Sequence, residues 1–332
     1  METRKVQVTG GSTYTVSLPK EWATDNDVSA GSIVEFHAEE DLLLLSPQRE
    51  NDRVEGTLDI SSLDEDHELT RAVMTMYVSG FDVITLETTR ISAEQRRVIR
   101  DAVQGLVGLE VIEETSERVV LQDLLDSSEL SVHNAITRMQ LVSLTMLEDA
   151  IKALVEDDND LAEDVKQRDE DVDRLWYMVS RVFRTVLRNP TAATDIGFPR
   201  ETVFDYQSSA RQLERIADHA TKIADLSLEV GELSGETAAK LEELQAEAVT
   251  VPETAMDALL TEGSDEATDR ANEARGNIRA VDDLAREVDR EVRESDPQSA
   301  QVLGLVVDSL SRTADYGSNI AESALQKAAP RP

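Results

Sequence analysis

Cysteine is absent from the 332-residue chain, which removes disulfides, thiolate metal sites and cysteine nucleophiles. Carboxylates and four histidines, His37, His67, His133 and His219, are left as the strong candidate ligands. Long apolar runs are lacking too. No stretch approaches the roughly 20 apolar residues that cross a bilayer, and the opening METRK has no signal-like segment. The expectation is a cytoplasmic protein with no membrane insertion. Lysine is scarce: seven residues, within 33 Lys plus Arg that face 68 Asp plus Glu, for a formal charge of -35.

The acidic excess runs through segments whose apolar periodicity stays intact, so it points to a folded protein solvated by carboxylates rather than to a disordered tail. Replacement of Lys by Asp, Glu and Arg resembles the composition of proteins from extreme halophiles, where charges are screened within ~3 Å near molar salt. In such a chain an acidic cluster is weaker evidence of a site than usual.

What is present divides the chain into three expected domains, 1–50, 51–126 and 127–332. Residues 4–47 alternate like four short strands, broken by Gly10 and Gly11, by a short helix near 20–24 after Pro19, and by an acidic turn at 39–41. So few residues bury little core alone, so dimerisation is expected. From 54 to 123 the period switches between two and 3.6 in the order βαβαββ, with Ser92 and Gln95 spaced as a capping box. This small α/β domain has no Gly-rich phosphate loop, no HExxH and no compact triad. It reads as a spacer, dimerisation or sensing element.

Beyond residue 126 strand signals nearly vanish. Helices are predicted at about 131–157, 161–187, 200–230, 253–272, 274–294 and 298–326, with a short one at 236–247. The breaks are set by Asn189 and Pro190, by 197–199, by 231–235, by Val251 and Pro252, and by Asp296 and Pro297. Long helices with short loops predict a bundle. An internal repeat supports two of them: LERIADHATKIAD at 213–225 aligns without gaps on LSRTADYGSNIAE at 310–322. The copies share Leu213/Leu310, Arg215/Arg312, Ala217/Ala314, Asp218/Asp315, Ile223/Ile320 and Ala224/Ala321, and the polar matches exceed what helical patterning requires.

Asp169 and Asp173 on one helix, and Glu214 and Asp218 on another, are each spaced i,i+4 and so share a face beside an apolar stripe. Two such helices side by side can surround a hard or borderline cation with oxygen ligands, or simply form a solvated face. His219 is turned about 100° from Asp218. Arg215 and Arg312 are expected to pair with facing carboxylates. The scattered histidines offer no base-and-nucleophile pairing, so an enzyme is the weakest class.

These residues carry a resemblance. Residues 130–329, with duplication, acidic helix pattern and ERIADH at 214–219, resemble the PhoU family of phosphate-uptake regulators, built from two three-helix bundles. The resemblance implies a non-enzymatic regulator of phosphate homeostasis that contacts phosphate-transporter or sensor-kinase components, and an iron, zinc or similar divalent or trivalent metal on the acidic face. Asp169, Asp173, Glu214 and Asp218 match the family's acidic pattern. In the second repeat Ile278 and Ser311 replace two of those ligands, so Asp282 and Asp315 make at most a weak second site. Separately, RKVQVTGGSTYTVSLPKEWA at 4–23 and GSIVEF at 31–36 resemble the SpoVT/AbrB swapped-hairpin domain, in which two chains interleave. That implies a dimer and, on its exposed surface, DNA contacts from Arg4, Lys5 and Lys20, with Ser12, Thr13 and Tyr14 near the turn. Residues 1–50 hold four basic against nine acidic residues, far from a duplex binder's footprint, so a purely dimerising hairpin stays open beside DNA binding. A transcription factor acting directly on phosphate-responsive genes is the alternative reading.

Overall fold

The computed structural model describes residues 3–39, 42–48, 53–63, 66–125, 131–231, 233–294 and 297–330. It divides into two compact units, 1–53 and 54–332. In the first, β1 (Gln7–Thr9) and β2 (Thr13–Thr15) form an antiparallel hairpin with Val8 opposite Tyr14. Its turn needs left-handed backbone at Gly10 (φ 66°) and Gly11 (φ 81°), which glycine supplies without Cβ strain. Helix α1 (Lys20–Asp25) follows Pro19. A second antiparallel hairpin joins β3 (Val34–Glu39) to β4 (Leu42–Pro47); Glu40 and Asp41 of the predicted acidic turn lie outside the described residues. No described side chain of this unit is buried, and Val6, Val8, Tyr14, Ile33, Phe36 and Leu43 are all more than half exposed.

The second unit opens with the expected βαβαββ order: β5 (Glu55–Asp59), α2 (Asp66–Val78), β6 (Val83–Glu87), α3 (Ala93–Gln104), β7 (Leu109–Glu114) and β8 (Arg118–Asp123). The sheet order is β5-β6-β8-β7, with β5 and β6 parallel and the other pairs antiparallel. Alternation along β6 buries Ile84 and Leu86 against Val98, Ile99 and Val103 of α3 and Leu69, Val73 and Tyr77 of α2. The capping box forms as read: Ser92 Oγ accepts from the Gln95 amide and Gln95 Oε1 from the Ser92 amide, both at 3.0 Å.

The helical region comprises α4 (Val132–Glu156), α5 (Asn159–Arg188), the short α6 (Pro190–Ile196), α7 (Arg200–Ser227), α8 (Gly235–Leu260), α9 (Ser264–Val292) and α10 (Pro297–Ala328). Ser131, Asp158 and Ser234 cap α4, α5 and α8 by accepting amide hydrogens three residues on. Helices α4, α5 and α7 make one three-helix bundle and α8, α9 and α10 another; α7 packs on α10 and α4 on α8, so both share one apolar core.

The break predicted at Val251 and Pro252 does not occur. Helix α8 runs through Pro252, absorbs the predicted short helix at 236–247, and ends at Leu260; the predicted helix at 253–272 crosses the real break at 261–263 and so spans the end of α8 and the start of α9, and the predicted helix at 274–294 is the remainder of α9. An internal proline costs a helix about 3 kcal/mol locally. Here it is buried beside Val251, Ala255 and Met256, and Gly317 of α10 comes so close that a Cβ there would lie 2.5 Å from the Pro252 nitrogen. Interhelical packing outweighs the lost backbone hydrogen bond.

Besides apolar contacts of α2 with α5, a buried arginine of α5 ties the α/β layer to the first bundle within one compact unit. Arg181, 5% exposed, donates from Nη1 to the Tyr77 and Phe81 carbonyls, both at 2.9 Å. Its Nη2 pairs with Asp82 at 2.7 Å and Asp123 at 2.8 Å, and the guanidinium lies over the Tyr77 ring, 5.0 Å from the centroid. Arg188 adds a hydrogen bond to the Ser79 carbonyl. A buried charge with this many partners holds two layers in one register.

Candidate metal centre

Helix α5 turns Val165, Val172, Val179 and Val186 into the core, and its 3.6-residue period brings Asp169 and Asp173 to the edge of that stripe. Helix α7 does the same with Leu213, Ile216, Ala217, Ala220 and Ala224, all fully buried, and the alanines let α5 and α7 approach closely. Glu214 is consequently buried at 8% exposure, Asp169 and Asp173 are half-buried, and Asp218 stands at the exposed rim.

The four carboxylates are close enough to act on one another's ionisation. Burial, then the charges of Asp218 and Glu170, push Asp169 up to about 6 against the pull of Thr221. Asp173 also rises to about 6, by burial and then by Asp169 and Asp218. Glu214 rises to about 7 by burial first and Asp218 second, with Arg211 opposing. Partial burial raises Asp218, opposed by Arg211 and Arg215. Tyr177, one residue past Trp176 on α5, is pushed up to about 12 by burial and then by Asp173 and Glu214.

Glu214 Oε1 accepts from Arg211 Nη1 at 2.5 Å, whereas Oε2 is buried without a hydrogen-bond partner. Four carboxylates, one with an orphaned oxygen, match the donor chemistry of a hard or borderline cation. Among the described residues, however, no three His, Asp or Glu side chains stand close enough to share one ion, so coordination would require side chains of the quartet to turn inward. A cleft of about 660 Å³ between α2, α3 and α5 adjoins this face, with Thr70, Gln104, Asp173, Arg174 and Tyr177 among its walls.

The second repeat differs. Asp282 and Asp315 are both exposed, Ile278 is half-buried, and Asp315 pairs with Arg312 of its own helix at 3.6 Å. Arg312 reaches Asp308 as well, at 4.0 Å, instead of a carboxylate on a facing helix. Arg215 departs from expectation too: it lies over the Tyr316 ring, 5.7 Å from the centroid. His219 turns away from the carboxylates, its Nε2 3.2 Å from Tyr316 Oη. Burial lowers its pKa.

In the N-terminal unit Arg4, Lys5, Ser12, Thr13, Tyr14 and Lys20 are all exposed. Thr13 pairs with Thr9 at the end of the first hairpin, and Tyr14 is 76% exposed. Sequence reading missed Arg211 and Arg181. Arg211 was accessible to it, standing i,i+3 before Glu214, a spacing at which helical ion pairs form.

Residues 136–227, the body of the first bundle, match the family model described as the PhoU domain. Residues 7–53 match that of the MazE bacterial antitoxin, "Antidote-toxin recognition MazE", where the sequence resemblance had pointed to SpoVT/AbrB. No curated protein matches the chain. Among solved structures, PhoU from Pseudomonas aeruginosa is similar with a TM-score of 0.50 and 23% identity, covering 60% of this chain and 96% of that one. The phosphate transport system regulatory protein PhoU from Streptococcus pneumoniae is similar at 17% identity and a TM-score of 0.44, over 58% and 91% of the two chains. The C-terminal region is therefore similar to PhoU: in sequence across the first bundle, and in fold as a pair of three-helix bundles.

Proposed function

We propose that the protein is a non-enzymatic regulator of phosphate uptake and homeostasis, a dimeric adaptor or sensor that contacts phosphate-transporter or sensor-kinase components in the cytoplasm. The observation that supports this most is the acidic face of α5 and α7, which falls inside the segment matching the PhoU domain. Mutually repelling, partly buried carboxylates change energy sharply when a cation arrives, a property suited to a sensing surface. In this reading Asp169, Asp173, Glu214 and Asp218 hold a divalent or trivalent ion such as iron or zinc, and Asp282 with Asp315 bind more weakly. The N-terminal unit supports assembly, because its uncovered apolar side chains need a second copy to bury them. The acidic composition fits work in concentrated salt.

Deleting the gene should raise phosphate uptake in phosphate-rich medium, and restoring the full-length gene should return it to the parental rate. Unchanged uptake with unchanged transporter expression would overturn the reading. A second reading, a transcription factor on phosphate-responsive genes, is favoured by the match of residues 7–53 to an antitoxin family and by exposed Arg4, Lys5 and Lys20. Protection of a specific operator at high salt would support it.

A further inference from the structure

A positively charged side chain of the protein's own sits where cations are expected to bind. Arg211 precedes Glu214 by one helical turn on α7 and holds Oε1 of that buried carboxylate at 2.5 Å. Its guanidinium also lies over the Trp176 ring of α5, 5.3 Å from the centroid, so it spans the two helices that carry the quartet. Its charge reaches beyond Glu214, acting on Asp173 and Asp218 as well. The other oxygen of Glu214 is buried and unpartnered, while among the described residues no three carboxylates are gathered about one point. Arg211 thus holds the most deeply buried carboxylate of the four by a charge-assisted hydrogen bond, leaving that oxygen committed to a cation the protein itself supplies.

We propose that Arg211 is a built-in rival of the metal: a tethered cation that occupies the acidic face, neutralises it in the absence of metal, and must leave Glu214 and Trp176 before a divalent ion can be held. The inference rests on the metal-binding reading given above, and adds to it the residue that sets affinity. A tethered competitor lowers affinity by the free energy of its own contacts, and protects the empty face from its own repulsion. The alternative role for Arg211, steadying Glu214 as a ligand, predicts the reverse effect on affinity.

The test uses full-length protein in a Trp22→Phe background, so that Trp176 is the only indole, titrated with Mn²⁺ and Zn²⁺ at fixed ionic strength. Arg211→Gln should bind at least about tenfold more tightly than the parent, the factor corresponding to loss of one charge-assisted hydrogen bond. It should also melt lower than the parent when metal-free and gain more on metal addition. Trp176 fluorescence should change on binding in the parent, as the guanidinium leaves the ring, and change much less in Arg211→Gln. Arg211→Lys should fall between them in affinity. Binding by the parent with equal or weaker binding by Arg211→Gln would overturn the inference and leave the metal site standing. Absence of binding in both proteins would overturn the metal site itself, and this inference with it.

Discussion

His219 and Tyr316, which occupy the same position in the two copies of the internal repeat, meet across the seam between α7 and α10 with Nε2 and Oη 3.2 Å apart. Gln212 and Asn319 add a hydrogen bond over the same seam at 3.1 Å, and Arg215 lies against Tyr316. The contacts run in opposite order along the two helices, 219 to 316 and 212 to 319, so the duplicate helices cross antiparallel and meet equivalent residue to equivalent residue, as the two sides of an isologous contact do. The acidic quartet lies on the α5 side of α7, away from this seam, and the two copies have been free to diverge there.

That divergence predicts unequal metal binding. Protein purified without a histidine tag should carry metal and gain thermal stability with the logarithm of free metal. Glu214→Ala with Asp218→Ala should abolish both effects, while Asp282→Ala with Asp315→Ala should leave them near the parental level. Elemental analysis and melting at constant ionic strength decide it; equal behaviour of the two double mutants would refute the asymmetry.

The metal-free protein should respond to acid in an unusual direction. Asp169, Asp173 and Asp205 are raised to about 6 and Glu214 to about 7, chiefly by burial, so each binds its proton more readily folded than unfolded. The folded state then holds more protons between the unfolded and folded values, and stability rises as pH falls from about 7.5 to about 4.5. Urea unfolding with chelator present should show this rise, and Asp169→Asn with Asp173→Asn should flatten it. Saturating metal should flatten it too, because bound carboxylates stay ionised.

Arg181→Met should cost about 3–5 kcal/mol, because Asp82 and Asp123 would be left partly buried without their partner. The loss should fall on the attachment of the α/β layer. Two unfolding transitions by urea, where the parent shows one for residues 54–332, would be its signature; a shift below about 1 kcal/mol would show that the apolar contacts of α2 with α5 suffice.

Assembly through the N-terminal unit predicts at least a dimer by light scattering at about 2 M salt, where charge repulsion is screened. Removal of residues 1–53 should reduce it. Where the parent binds DNA, Arg4→Ala, Lys5→Ala and Lys20→Ala together should weaken binding alike on any sequence and reduce the salt slope by roughly three. A monomeric parent would exclude the assembly role, and no binding to its own upstream region at any salt would exclude the DNA role.

Much of this architecture was legible because it is written locally. The capping box at Ser92, the alternation of β6 and the long stripes of α5 and α7 depend on neighbours within a few residues. Pro252 misled for the same reason: its local cost is real, and what offsets it is Gly317, far along the chain. Arg181 was invisible because its partners stand far upstream, Tyr77, Phe81 and Asp82 about a hundred residues away and Asp123 in β8. The acidic faces could be read from i,i+4 spacing, but spacing carries no burial, and burial is what separates Glu214 from the exposed Asp282 and Asp315.

Gly317 and Pro252 also bear on how the two halves can change. The repeat places Ala220 where the second copy has Gly317, and a methyl group there would collide with the proline nitrogen. A replacement at either position is therefore judged by the residue at the other, and a gene-conversion event that copied α7 over α10 would import the collision. The duplicate helices descend from one pattern yet have become non-exchangeable parts, each fitted to its own neighbour.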